Sequence, residues 1–280
     1  MPFFRTSKKD TNTQDVDLSF TAYYIKNGQV QPLKTQLRQL TYYYNKNNFN
    51  SSVTFGDGIG YLDNFFSTFN KYNQPVILPN SLISLASMFN GCHLFNQPVV
   101  IPHGVENCYY MFNGCLNFNS MVTIPNTVIN CRFMFENCRN FNQPVTIPHS
   151  VVDCSYMFSF CYNLNSPIII ENGVVSCVQM FPVSGIYNLP VVIPRSVENA
   201  RYMLRCPRIS EVYINGNPDI FHMLALNNNL RVNVYCGNEI TQDRLSNIFN
   251  GKTNISLTPM DNGYYNPTYN LYVYTNYIGT

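Results

Sequence analysis

The sequence predicts a repeat solenoid, with one short parallel β-strand and a short helical or 3-10 return per 23-residue coil and irregular caps at both ends. Three observations carry this. Met88-Phe89, Met111-Phe112, Met134-Phe135, Met157-Phe158 and Met180-Phe181 recur at one interval, with Phe65-Phe66 before them and Met203-Leu204 after. Asn50, Asn73, Asn96, Asn119, Asn142, Asn165 and Asn188 form an unbroken series in the same register, each preceded by Phe, Tyr or Leu. Eight of the ten cysteines occupy two columns, Cys108, Cys131, Cys154 and Cys177, then Cys92, Cys115, Cys138 and Cys161. A fixed period of this length marks units that cannot bury their apolar faces alone and therefore stack on their neighbours.

Each element of a coil can be read through residues 95–117, FNQPVVIPHGVENCYYMFNGCLN. Val99 and Ile101 flank Val100 and are followed by Pro102, which lacks a donor and ends the strand. Similar strands are expected at Val76–Leu78, Val122–Ile124, Val145–Ile147, Ile168–Ile170 and Val191–Ile193, side by side at about 4.8 Å. Val105, Cys108, Met111 or Phe112 and Cys115 then recur in steps of three to four, the period of a helical or 3-10 return with one buried face. Gly114, Asn117 and Asn119 supply the corner to the next strand. The Pro79, Pro102, Pro125, Pro148 and Pro194 column is interrupted once, by Glu171.

These residues resemble the BspA-like leucine-rich repeat family. The likeness is carried by Ile101-Pro102, Val105, Phe112, Cys115 and Phe118, and again by Ile147-Pro148, Val151, Phe158, Cys161 and Leu164, over roughly residues 72–205. Two features depart from that pattern: Met precedes the aromatic, and Phe-Asn-Gln-Pro at 95–98 and 141–144 replaces the leucine turn. Those Phe-Asn and Ile-Pro elements are also similar to FNIP-type repeats. Either resemblance implies a leucine-rich-repeat solenoid used for adhesion or protein contacts, and neither implies catalysis.

The register weakens at both ends, as capping coils require. The expected division is an N-terminal arm or cap over 1–29, the solenoid over 30–236, and a C-terminal cap with a Tyr-rich tail over 237–280. Val212-Tyr213-Ile214 and Val232-Asn233-Val234 suggest outer coils shortened to 20 residues. A helix is expected over Thr241–Phe249, ended by Gly251. Leu18–Ile25 and Tyr269–Ile278 alternate like strands suited to pairing with a partner or a second copy of the chain.

Composition narrows the chemistry. Charged residues make up 11% of the chain and the net charge is +2. Between Tyr72 and Pro194 the only Lys or Arg residues are Arg132 and Arg139. A phosphate-tracking groove needs many more, so nucleic acid is not an expected partner. No stretch approaches the roughly 18 apolar residues of a membrane span, and residues 1–15 show no signal-peptide core. Metal is not expected, because Cys108 and Cys115 stand seven apart whereas structural zinc uses closer pairs. The cysteines are read as buried, reduced thiols with no base in reach, and His103 and His149 as turn residues. Glu106 and Glu198 share a column but stand four coils apart, about 19 Å, and Glu136, Asp153 and Glu171 stand in other columns, so no carboxylate pair at glycosidase spacing is expected. The chain is therefore expected to be no enzyme and to use no cofactor.

The Asn column, Asn73, Asn96, Asn119, Asn142, Asn165 and Asn188, is expected to be a structural ladder. The middle strand positions, Ile77, Val100, Thr123, Thr146, Ile169 and Val192, with Thr54 before them, face away from the core and mark a candidate interaction stripe. Arg195, Arg201 and Arg205, with Arg208, form a candidate docking site for an acidic partner. The reading that joins these features is a non-enzymatic interaction protein. A bacteriophage virion component of the tail, fibre or head surface, contacting other virion proteins or a host-surface protein or glycan, would reconcile an adhesin-like repeat with the missing secretion signal. The alternatives are a bacterial or protist adhesin at the cell surface or in the cytoplasm, and, in another class, a carbohydrate-cleaving solenoid enzyme.

Overall fold

A computed structural model of the chain describes residues 45–181, 186–209 and 211–224, and outside them the backbone of several short strands. The continuous feature is a parallel ladder one residue wide. It runs Tyr61, Ser84, Asn107, Asn130, Asp153, Ser176, Asn199, Asp219, each paired with the next. Six of these seven steps are 23 residues, so the period in the sequence is the stacking offset, and the last step shortens to 20. Short strands flank the ladder, and of their parallel pairs only the one between residues 145–147 and 168–170 keeps the 23-residue offset. β1 (Val16–Leu18) pairs in parallel with β5 (Val53–Phe55), and β4 (Thr35–Gln36) with β6 (Ile59–Tyr61). β7 (Val145–Ile147) pairs with β8 (Ile168–Ile170), and β9 (Val191–Ile193), β10 (Glu211–Ile214) and β11 (Asn233–Cys236) form a three-stranded parallel sheet. Two antiparallel hairpins stand apart, β2 (Tyr23–Lys26) with β3 (Gln29–Pro32), and β12 (Tyr264–Asn266) with β13 (Leu271–Val273).

Strand pairing at the expected positions is incomplete, and proline explains where it fails. Residues 76–78, 99–101 and 122–124 point their first side chain in and their second out as β7 does, yet form no named strand. In the 99–101, 122–124, 145–147 and 191–193 coils the third residue is followed by Pro102, Pro125, Pro148 or Pro194, which has no N–H to give the preceding coil. Where that residue is not proline the rung closes: Glu171 N–H donates to Ile147 O at 3.0 Å and Asn215 N–H to Ile193 O at 2.9 Å. β7–β8 and β9–β10 are the pairs those rungs complete, and β8 and β9, with Pro194 following, remain in separate sheets.

The return differs from expectation. Among the described residues there is no helix, so the predicted helical or 3-10 return is corrected to a chain of tight turns. Its backbone donors alternate. Cys108, Tyr110, Phe112 and Gly114 donate to Asn130, Arg132, Met134 and Glu136 carbonyls of the next coil at 2.8–3.1 Å, while Met111, Asn113 and Cys115 donate to carbonyls three residues back at 3.0–3.1 Å. The remaining donor, Tyr109 N–H, is met by the Asn107 side chain at 3.1 Å. Ser87, Tyr110, Phe133 and Tyr156 hold this path with φ between 56 and 61°. Spacing decides the matter: Phe89, Phe112, Phe135 and Phe158 stack on this side at 5.5–5.7 Å between ring centroids. An α-helix with side chains is about 10 Å across, so helices could not follow one another at that interval.

The core is a set of these columns. Met88, Met111, Met134 and Met157 form one, the four phenylalanines another, and Phe95, Phe118 and Phe141 a third, all fully buried. The third stacks at 6.0 Å within itself and at 4.1–4.5 Å against the second. The nine cysteines among the described residues are all buried. Cys92, Cys115, Cys138 and Cys161 each donate their thiol to a phenylalanine carbonyl of the preceding coil at 3.0–3.1 Å. Burial raises these thiols well above the ordinary cysteine value, and Cys108 is pushed up to about 12.

The ends correct two further expectations. Val212 pairs with Val234 rather than Val232, an offset of 22, while β9 to β10 is offset by 21. A shift of two keeps the same side chains on the same face, so alternation alone could not choose between 232 and 234. The Leu18–Ile25 stretch is divided between β1 and β2, and only β13 falls within Tyr269–Ile278. The expected helix over 241–249 lies outside the described residues.

Candidate interaction surface

The strand face presents the predicted stripe outward. Ile77 is 88% exposed, Val100 83% and Ile169 48%. Thr54, Thr123 and Thr146 are exposed, and Val192 is half-buried. Pro75, Pro98, Pro144 and Pro167 are exposed beside them. Large aliphatic side chains exposed to this degree, in the adjacent coils of Ile77 and Val100 and again three coils on at Ile169, gain nothing from the fold and would gain by burial against another surface.

Within this face the side chains vary in length, and that variation cuts a groove. Thr123 and Thr146 are short where Ile169 is long, and between them lies a depression of about 510 Å³ walled by Met121, Pro144 and Pro167 on one side and Pro148, His149 and Glu171 on the other. Met121 is 64% exposed. Glu171 is the one carboxylate of the lining. Its Oε2 accepts the His149 backbone N–H at 2.9 Å and lies 3.3 Å from His149 Nδ1. The break in the proline column thus does two things at once: it supplies a strand rung and fixes the groove's polar end.

The Asn column binds the edge of this face to itself. Each side-chain Oδ1 accepts the backbone N–H of the next asparagine in the series: Asn73 from Asn96 at 2.9 Å, Asn96 from Asn119 at 2.7 Å, Asn119 from Asn142 and Asn142 from Asn165 at 2.8 Å, and Asn165 from Asn188 at 3.0 Å. A second polar column is not singled out by sequence reading. Asn107, Asn130, Asp153, Asn199 and Asp219 each accept the N–H two residues on at 2.8–3.2 Å. Its signal was an Asn, Asp or Ser two residues before each return, a residue choice that fits a local side-chain turn.

The arginines do not converge. Arg201 lies 3.9 Å from Asp219 and its guanidinium covers the Phe221 ring at 4.9 Å, while Arg205 lies over Tyr202 at 5.8 Å with a buried Nε. Arg195 stands on the turn after β9, its backbone against Gly216. Part of this charge is therefore engaged within the fold. Sequence reading also missed an aromatic ridge on the return side: Tyr110, Phe133 and Tyr156 stack at 4.5 Å with Arg132 over the last two rings at 5.0 and 5.7 Å. All three rings occupy the position before the methionine of each repeat.

Among the described residues no cluster of His, Cys, Asp and Glu could hold a metal ion, and no helix is long and apolar enough to cross a membrane. Residues 35–145 and, overlapping them, 61–172 match a family model described as Mycoplasma protein of unknown function, DUF285. A solved leucine-rich repeat protein from Bacteroides ovatus has a similar fold, with a TM-score of 0.50 and 13% identity, over 82% of this chain and 65% of that one. The present chain thus spans less than two thirds of that protein's length. No curated protein matches. At that identity the likeness shows the fold alone, which is of the leucine-rich-repeat kind.

Proposed function

We propose that the chain is a solenoid interaction module of a surface protein, which binds a partner protein or glycan across its strand face and carries out no catalysis. The observation that supports this most directly is the run of solvent-facing aliphatic side chains at Ile77, Val100 and Ile169, continued through the Met121–Ile169 groove. A rigid, nearly uncharged surface recognises by shape and by tyrosyl, amide and aliphatic contacts, with little ordering cost because the ladder already fixes it. The family and structural matches support a leucine-rich-repeat interaction fold and give no support to the virion placement.

The test uses the whole chain and a variant carrying Ile77→Arg, Val100→Arg and Thr146→Arg. All three positions are exposed, so circular dichroism and melting should match the parent. Binding to immobilised matrix proteins, to mucin and to cultured host cells is then measured for both. Binding by the parent that is lost in the variant supports the reading. Equal binding by both places the interface elsewhere, and release of reducing sugar from a glycan panel would replace the reading with an enzyme.

A further inference from the structure

Two thiols in the first cysteine column stand apart from the rest. Cys154 Sγ lies 3.4 Å from Cys177 Sγ, both side chains fully buried. The bridge between Asp153 and Ser176 sets the two residues side by side, and Cys154 N–H donates to Ser176 O at 3.0 Å. Adjacent parallel positions lie about 4.8 Å apart, inside the 4.4–6.8 Å Cα range that a disulfide accepts. The cysteines of the other column are already tied to carbonyl oxygens. In the Cys154–Cys177 pair the two sulfurs face each other, with Ser176 O also 3.4 Å and Met180 Sδ 3.8 Å from Cys154 Sγ, and the sulfur–sulfur approach is the one that rotation of the two side chains can shorten to a bond.

We propose that Cys154 and Cys177 form a latent inter-coil clamp, a dithiol that closes to a disulfide on meeting a small-molecule disulfide and locks two successive coils together. The chemistry balances as exchange. The Cys154 thiolate attacks one sulfur of the oxidant, forming a mixed disulfide and releasing one thiol. The Cys177 thiolate then displaces the second thiol, so two S–H bonds are lost, one protein S–S bond forms and the oxidant's S–S bond is reduced to two thiols. Burial sets the kinetics, because the coils must part locally before the reagent can reach either sulfur.

The native chain is incubated with oxidised glutathione, in buffer and in sub-denaturing urea, then alkylated, cut with chymotrypsin and mapped by mass spectrometry. Chymotrypsin is chosen because Tyr156, Phe158 and Tyr162 separate Cys154 from Cys161 and Cys177. The expected result is a 154–177 cross-link, formed faster in urea, retained in Cys131→Ala and absent in Cys177→Ala, with both variants folded by circular dichroism. Closing a loop of this size should raise Tm by roughly 5–10 °C relative to the reduced chain. A link between Cys131 and Cys154, glutathione adducts alone, or no link in either condition would overturn the proposal. A 154–177 link that leaves Tm unchanged would refute the clamp.

Discussion

Tyr72 occupies a column that is otherwise apolar at the described positions up to residue 164, and replacing it tests how the core is accounted for. Its ring is fully buried, stacked on Phe66 at 4.0 Å and in line with Phe49 and Phe95 at 6.1 Å each. Its hydroxyl, also buried, has no hydrogen-bond partner. Phe49, Phe95, Phe118 and Phe141 fill the same position in other coils without that oxygen. Tyr72→Phe therefore deletes one unsatisfied polar atom and leaves the stack, which should recover about 1–3 kcal/mol. At roughly 2–4 °C per kcal/mol for a chain of this size, Tm rises by several degrees. Burial also raises the Tyr72 phenol above its ordinary value. The neutral form is thus favoured in the folded state, and its contribution is complete below about pH 10, the unfolded value, and lost as pH rises beyond it. The substitution should consequently remove part of the alkaline loss of stability as well. The reciprocal change, Phe95→Tyr, places the same hydroxyl one coil away and should cost a similar amount. Urea denaturation followed by circular dichroism measures both. Unchanged midpoints for both variants, or a less stable Tyr72→Phe, would refute the assignment of that hydroxyl as an energetic cost.

Three further outcomes follow from the geometry. A Cβ on Gly173 would collide with the His149 backbone carbonyl at a φ of 140°, so Gly173→Ala should lose roughly 2–4 kcal/mol, against about 1 kcal/mol for Gly104→Ala, whose Cβ would clear Leu82 O at 3.6 Å. Denaturant midpoints for the two variants check the difference. Glu171→Pro removes both the rung to Ile147 and the carboxylate that accepts from His149, and should cost about 1–2 kcal/mol while increasing amide exchange at His149. Exchange unchanged at that position would contradict it. Finally, Cys108, pushed up to about 12 by burial, stays a thiol where the unfolded chain ionises near 8.5, so its contribution holds below about pH 8.5 and is lost as pH climbs toward 12. Cys108→Ala should flatten the fall in stability between pH 9 and 11 relative to the parent.

Periodicity alone determined the repeat, because stacked coils impose one residue type per column and the 23-residue interval is the stacking offset itself. The in–out alternation of Val99-Val100-Ile101 and the outward placement of Ile77 and Val100 were legible for the same reason: a strand has a period of two, and its buried positions must be apolar. The return was not legible. Apolar steps of three to four fit a helix and a chain of turns equally well, and only the coil-to-coil spacing, set by columns of rings 5.5–5.7 Å apart, leaves no room for a helix. The proline column was visible in the sequence, but its consequence, that the rung after the strand closes at Glu171 and Asn215 among the described residues, needed the neighbouring coil's carbonyls in place. The groove was hidden too, since it arises from the lengths of Thr123, Thr146 and Ile169 compared across three coils. Tertiary structure decided these features because each depends on contacts between residues 20–24 positions apart, whose relative height and direction are fixed only once the coils stack.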